Sequence, residues 1–303
     1  MIELAGVGRT YSPLGGRPLR AVDDMTFTVR AGEVFGIAGP NGAGKSTMIS
    51  MLLGFLPPSE GRIMVDGRAP REFVEREGIG YLSELIDINP RWRARETMVR
   101  FATLAGVPAA ELDARVDAQM RAMALDEHAR KRVKELSKGT RQRLALAQAL
   151  LGETRVLILD EPTHGLDPLW TQRFRELLPT LRRPDRAIIV ASHNLDELER
   201  LADRVAIVDR GRLQRIVATR GAVSETVVTR YRIAYRGADD ALREVFPDAA
   251  PLGPGEVEVR VAGLEALNRG LATLIGRGVL IVAASPSYSA LEEQFRQVVR
   301  SDP

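Results

Sequence analysis

The stretch Gly39-Pro40-Asn41-Gly42-Ala43-Gly44-Lys45-Ser46-Thr47 constrains this chain more than any other. The run Glu33 to Ala38 before it reads as a buried strand, and Met48 to Leu53 after it reads as the start of a helix. Strand, glycine-rich loop, Lys-Ser and helix together make a phosphate-binding loop. The glycines let backbone N–H groups turn inward as an anion nest. The new helix aims its positive end at the same phosphates. Lys45 adds a flexible point charge for the β- and γ-phosphates, and the Ser46 hydroxyl can ligate Mg²⁺. In doubly wound α/β sheets ligands sit at the carboxyl ends of the strands.

The rest of the chain supplies candidates for that edge. Val156-Leu157-Ile158-Leu159-Asp160-Glu161-Pro162 reads as a strand buried on both faces that ends in two carboxylates. Carboxylates there are costly unless they hold a metal or do chemistry. Asp160 suits Mg²⁺, mainly through water, and Glu161 suits a general base that polarises water. The competing reading is a pair of helix-capping acids. Ala187 to Ala191 is another buried strand, and it ends in Ser192-His193-Asn194, so His193 reaches the same edge. Upstream, Ile2 to Arg30 reads as short antiparallel strands around the turn Ser12 to Pro18. Tyr11 precedes the turn, either as an aromatic face for adenine or as an ordinary strand tyrosine.

From about Arg95 to Leu151 the pattern is helical, without strand alternation. Its run His128 to Lys134 reads as a solvated basic helix face. The stretch ends in Leu136-Ser137-Lys138-Gly139-Thr140-Arg141-Gln142-Arg143 before an apolar helix. Ser137 suits the N-cap and Gly139 a close backbone approach. This is either a second anion site at a helix N-terminus or a simple cap.

Composition excludes several classes. With no cysteine there is no disulfide framework and no thiolate metal site. A formal charge of +3 does not suggest nucleic-acid binding. No stretch approaches the ~20 apolar residues of a membrane span, and the N-terminus lacks the features of a signal peptide. A soluble, cytoplasmic chain is expected, any membrane role coming through a partner.

These pieces in this order, from about Ile2 to Arg220, resemble the ATP-binding subunit of ABC transporters. The phosphate loop corresponds to Walker A, Val156 to Glu161 to Walker B, and Leu136 to Arg143 to the family signature. Asp167 falls in the loop joining two active sites, His193 matches the switch histidine, and Tyr11 matches the adenine-stacking aromatic. Two departures stand out. The family usually has Gln where this chain has Glu84, a position that ligates Mg²⁺ and senses the γ-phosphate. The signature commonly reads Leu-Ser-Gly-Gly, whereas Lys138 follows the serine here. Both departures resemble the ABC-2 type exporter subgroup.

The resemblance implies a fold, cofactors and partners. The fold is a P-loop NTPase core with an N-terminal antiparallel β-subdomain and a helical insertion at about 91–151. The ATPase domain spans 1–219. Residues 220–303 form a small α+β accessory domain, read from the residues themselves: strands at Val227 to Arg236, Glu256 to Ala262 and Gly278 to Ala284, and helices at Ala238 to Phe246, Leu264 to Gly276 and Ser289 to Arg300. The cofactors are ATP and Mg²⁺. Two subunits, identical or paralogous, face each other head to tail, and each ATP lies between Walker A of one and Ser137 and Gly139 of the other. The surface from Ser83 to Trp92 grips a helix of a separate membrane permease, holding the subunit at the inner face of the membrane. Ile86 and Trp92 are either its apolar contacts or buried hinge packing. The rival from another class is a soluble ABC ATPase acting on ribosomes or DNA. Such proteins usually carry two cassettes or a long coiled coil, and this chain shows neither a second phosphate loop nor heptads.

Overall fold

The computed structural model describes residues 1–12, 16–219, 228–237, 239–287 and 290–299. They form two compact units, Met1–Val217 and Ala218–Pro303. In the first unit β1 (Ile2–Tyr11), β2 (Leu19–Val29) and β4 (Glu60–Val65) make an antiparallel sheet in the order β2-β1-β4. Pro13, Leu14 and Gly15 of the expected turn lie outside the described residues. β3 (Val34–Ala38) is buried throughout and leads through the phosphate loop into α1 (Lys45–Leu52). The helix therefore opens on Lys45 itself, three residues before the apolar run that announced it.

Next come α2 (Pro70–Glu77), β5 (Gly80–Leu82), α3 (Ala94–Leu104), α4 (Leu112–Ala122) and α5 (Lys138–Ala149). α2 has mostly charged residues and buries only Phe73, so its apolar signal is faint; its Pro stands at the first turn, where no N–H is needed. The basic run 128–134 is not a helix face. It forms short 3₁₀ turns at Asp126–His128 and Val133–Glu135.

β6 (Val156–Asp160), α6 (Pro168–Thr180), β7 (Ala187–Ser192), α7 (Leu195–Leu201), β8 (Arg204–Asp209) and β9 (Arg212–Ala218) complete the unit. The main sheet runs β5-β6-β7-β3-β8-β9, and its first five strands are parallel. β6 and β7 are buried at every position, which explains their unbroken apolar runs. The register pairs Val156 with Ala187 and carries through to Asp160 with Ala191. Phe35, Ile37, Ile158 and Ile189 share one core with Ile2, Leu4 and Phe27 of the antiparallel sheet. That core fixes the phosphate loop between two sheets.

In the second unit β10 (Val228–Arg236), α8 (Asp239–Val245), β11 (Ala250–Gly253), β12 (Glu256–Ala262), α9 (Gly263–Gly276), β13 (Leu280–Pro286) and α10 (Ala290–Val299) follow in order. Its sheet is antiparallel, β11-β12-β10-β13, with a core of its own that includes Ile233, Val259, Leu242 and Leu274. The Pro251 to Gly255 stretch contains an edge strand as well as a turn. β11 is short, exposed and holds Pro251, which an edge strand tolerates.

Candidate functional site

The phosphate loop is built by close approach. Gly44 has φ 98°, and a Cβ there would stand 2.5 Å from the Ala21 carbonyl oxygen. A Cβ on Gly39 would meet the Val208 carbonyl oxygen at 2.3 Å. Only glycine allows this backbone to pass between β2 and β8. Lys45 is buried, and its ammonium donates to the carbonyls of Gly39 (2.6 Å) and Pro40 (3.2 Å), closing the loop on itself. A cavity of about 350 Å³ opens above it. Pro40, Asn41, Gly42, Ala43, Gly44, Lys45, Ser46 and Thr47 line its floor, and Tyr11, Glu84 and Glu161 its walls. Tyr11 ends β1 with its hydroxyl 3.5 Å from Thr47 Oγ1, and the Arg9 guanidinium stands 5.2 Å from its ring.

Parallel register brings the acids and the histidine together. Asp160 pairs with Ala191 at the ends of β6 and β7, so the next residues, Glu161 and Ser192-His193, share one edge. Glu161 is buried, with φ 48°, a left-handed backbone that a residue with a Cβ adopts at a cost of about 1 kcal/mol. Its carboxylate is held at three points. Oε1 accepts from the His193 backbone N–H (2.9 Å) and from His193 Nδ1 (2.8 Å), and Oε2 accepts from Ser192 Oγ (3.1 Å). A carboxylate only accepts, so Nδ1 carries the proton in this pair.

Burial pushes the Asp160 carboxyl up to about 7; the charges of Glu84 and Glu161 push the same way, and Lys45 opposes them. The folded protein thus holds a proton that the unfolded chain releases near 3.8. Nucleotide-free protein therefore loses stability as the pH rises from about 4 to 7, by roughly 1–4 kcal/mol. Asp160→Asn removes the titration. By scanning calorimetry at pH 8 the nucleotide-free variant is expected to melt several degrees above the parent, the gap closing towards pH 4. A gap independent of pH counts against this assignment.

The donors Ser46, Glu84 and Asp160 are hard oxygens. Among the described residues no group of three or more His, Cys, Asp or Glu is arranged to hold a metal. Mg²⁺ needs no such cage, since it keeps several waters and takes one or two carboxylates with substrate phosphates. Glu84 lines the same cavity as Ser46, and its charge with that of Glu161 bears on Asp160, a crowding of negative charge that a dication would relieve, so these oxygens fit Mg²⁺.

Ser137, Gly139 and Asp167 do not line this cavity. Ser137 caps α5, its Oγ accepting from Thr140 N–H at 3.1 Å. Asp167 caps α6, its Oδ1 accepting from Trp170 N–H at 2.9 Å. The supports of the site carry no signal of their own in the sequence. Ser192 grips Glu161, and Gln142 donates to the carbonyls of Glu161 (3.2 Å) and Pro162 (3.0 Å). Both stand inside motifs already singled out, and only tertiary structure reveals their partners.

A phosphate loop and a carboxylate–histidine pair at the carboxyl edge of a parallel sheet define a P-loop ATPase. The ABC transporter family model matches residues 22–164. A second model, described as AAA domain, putative AbiEii toxin, type IV TA system, matches 132–199 within the same core. Nod factor export ATP-binding protein I of Rhizobium leguminosarum bv. viciae is 38% identical over 213 residues, 70% of this chain and 67% of that protein. ABC transporter ATP-binding protein NatA of Bacillus subtilis is 36% identical over 215 residues, covering 70% of this chain and 87% of its own length. A solved dimeric bacterial ABC transporter cassette superposes with TM-score 0.67 at 25% identity, over 73% of this chain and all of the cassette. The chain belongs to the ABC transporter ATP-binding family and is an ATPase.

Proposed function

We propose that this chain powers export through a separate membrane permease, working as a dimer with two shared ATP sites. The observation that carries the reading is a groove of about 870 Å³ beside the helical insertion, larger than the phosphate-loop cavity. Ile88, Pro90, Trp92, Val99, Phe101 and Leu104 give it an apolar lining, and Arg100 stacks on Trp92 at 4.5 Å. Leu104 is 82% exposed, a large apolar group left in water unless something covers it. A cytoplasmic helix of the permease fits such a groove. Ile86 lies outside this lining. Among the described residues no helix is long and apolar enough to cross a membrane, so in this reading the permease holds the subunit at the inner face. Export is supported by the relatives, one named for Nod factor export.

In the same reading ATP stacks its adenine on Tyr11, and its phosphates lie in the nest from Gly39 to Thr47 with Lys45 on the β- and γ-groups. Mg²⁺, held by Ser46, Glu84 and Asp160, supplies neutralisation of phosphate charge. Glu161 polarises the attacking water, and His193 steadies both Glu161 and the γ-phosphate. Ser137 and Gly139 close the site of the opposite subunit, and Asp167 lies between the two sites. Residues 1–219 are the ATPase domain, and 220–303 are an accessory domain.

The test is co-purification of a membrane permease from the source cells. Leu104→Arg is expected to abolish its recovery from detergent-solubilised membranes, while the isolated variant still binds ATP. Undiminished recovery overturns the assignment of the groove.

A further inference from the structure

We propose that Lys138 and His164 form a clasp that makes the Ser137 loop and the Asp167 loop of one chain a single body, with Lys138 a positioning residue for hydrolysis. The inference rests on the opposed-site reading above. Lys138 is the first residue of α5, where the helix dipole disfavours a cation. Its ammonium therefore gains from a nearby acceptor, and His164 Nε2 stands 2.7 Å away. An ammonium has only donors, so the imidazole accepts and is neutral, with its proton on Nδ1.

The stem of Lys138 is also fitted. It lies over Gly165, where a Cβ would meet Cε at 2.7 Å and Cδ and Cγ at 3.0 Å. Gly165 has φ 80°, so the backbone favours glycine, and the flexible Lys138 stem occupies the space left by the missing side chain. A Cβ on Gly139 would likewise stand 3.0 Å from the Gly165 carbonyl oxygen. The two loops touch backbone to backbone, and the clasp closes the outer end of that contact.

The inner end leads to the reacting atoms. Gln142, one turn along α5, holds the carbonyls of Glu161 and Pro162. Behind it the Arg143 guanidinium lies 4.3 Å from the Trp170 ring of α6 and donates to the carbonyls of Met123 and Ala124. His164 N–H donates to the Glu161 carbonyl at 3.0 Å, closing the circuit. A pull on Ser137 by the nucleotide of the opposite subunit thus displaces Glu161 of its own chain. Glycine, the family's common residue at 138, has no side chain to reach His164, so this coupling belongs to the lysine.

The test uses the full chain as Lys138→Met, His164→Leu, His164→Gln and the Lys138→Met/His164→Leu double variant. In nucleotide-free protein, hydrogen exchange is followed at 137–143 and 161–167. Lys138→Met and His164→Leu are each expected to speed exchange in both segments together, and His164→Gln, whose amide oxygen accepts, to exchange like the parent. Loosening of the mutated segment alone, or of neither, overturns the clasp. In ATP turnover each single loss lowers kcat about tenfold with KM for ATP within about twofold, and the double variant is no worse than the worse single. A defect in Lys138→Met without one in His164→Leu overturns the clasp and assigns Lys138 to the opposite nucleotide. A parent that never dimerises with ATP overturns the opposed-site reading and the coupling between sites, while the clasp is judged by exchange alone.

Discussion

Glu161→Gln is expected to bind ATP as the parent does, to lose turnover by at least about a hundredfold, and to accumulate as an ATP-bound dimer. Glutamine keeps the size of the side chain, and its amide oxygen can still accept from His193 N–H at the position of Oε1. The amide cannot serve the second carboxylate position unchanged, since its nitrogen now faces Ser192 Oγ, a group able to rotate and accept. The fold is therefore kept and the proposed base is removed. Turnover under saturating ATP, with gel filtration, checks both halves. Turnover at the parent rate would remove Glu161 from the chemistry.

Ser137→Arg is expected to abolish ATP-driven dimerisation while one subunit still binds ATP. Locally the change costs about 1 kcal/mol, the value of the lost cap to Thr140 N–H. α5 survives it because Thr140, Gln142, Leu144, Ala145 and Leu146 are buried along its length. In the opposed-site reading the arginine fills the space at the helix N-terminus that the γ-phosphate of the opposite subunit is to occupy. Sedimentation of the Glu161→Gln background with and without Ser137→Arg separates the outcomes. An ATP-dependent dimer that persists in the double variant contradicts the opposed-site arrangement.

Much of this was legible in the residues because the motifs carry their own physics. The phosphate loop announces itself through glycines whose backbone no other residue can adopt, and β6 and β7 through apolar runs that only a doubly covered sheet produces. Elements without such a signature were harder to read. α2 buries a single side chain, and the 128–134 segment bonds in 3₁₀ turns rather than exposing a helical face. The site's supports were also hidden. Nothing in the spelling of Gln142 says that it faces the carbonyl of Glu161, nineteen residues on. Lys138 stands out in the sequence as a departure from the family's common glycine, but its partner His164 lies twenty-six residues away and meets it only through the fold.

The pairing of Asp160 with Ala191 has a consequence for tolerance to change. No residue of β6 or β7 lines the phosphate-loop cavity, yet together the two strands act as a ruler whose last graduation is the distance between Glu161 and His193. Side chains alternate along a strand, so inserting or deleting one residue anywhere between Val156 and Asp160 turns the carboxylates to the wrong face. The greasy interior of this enzyme is in that sense its measuring instrument, and its permitted error is less than one residue.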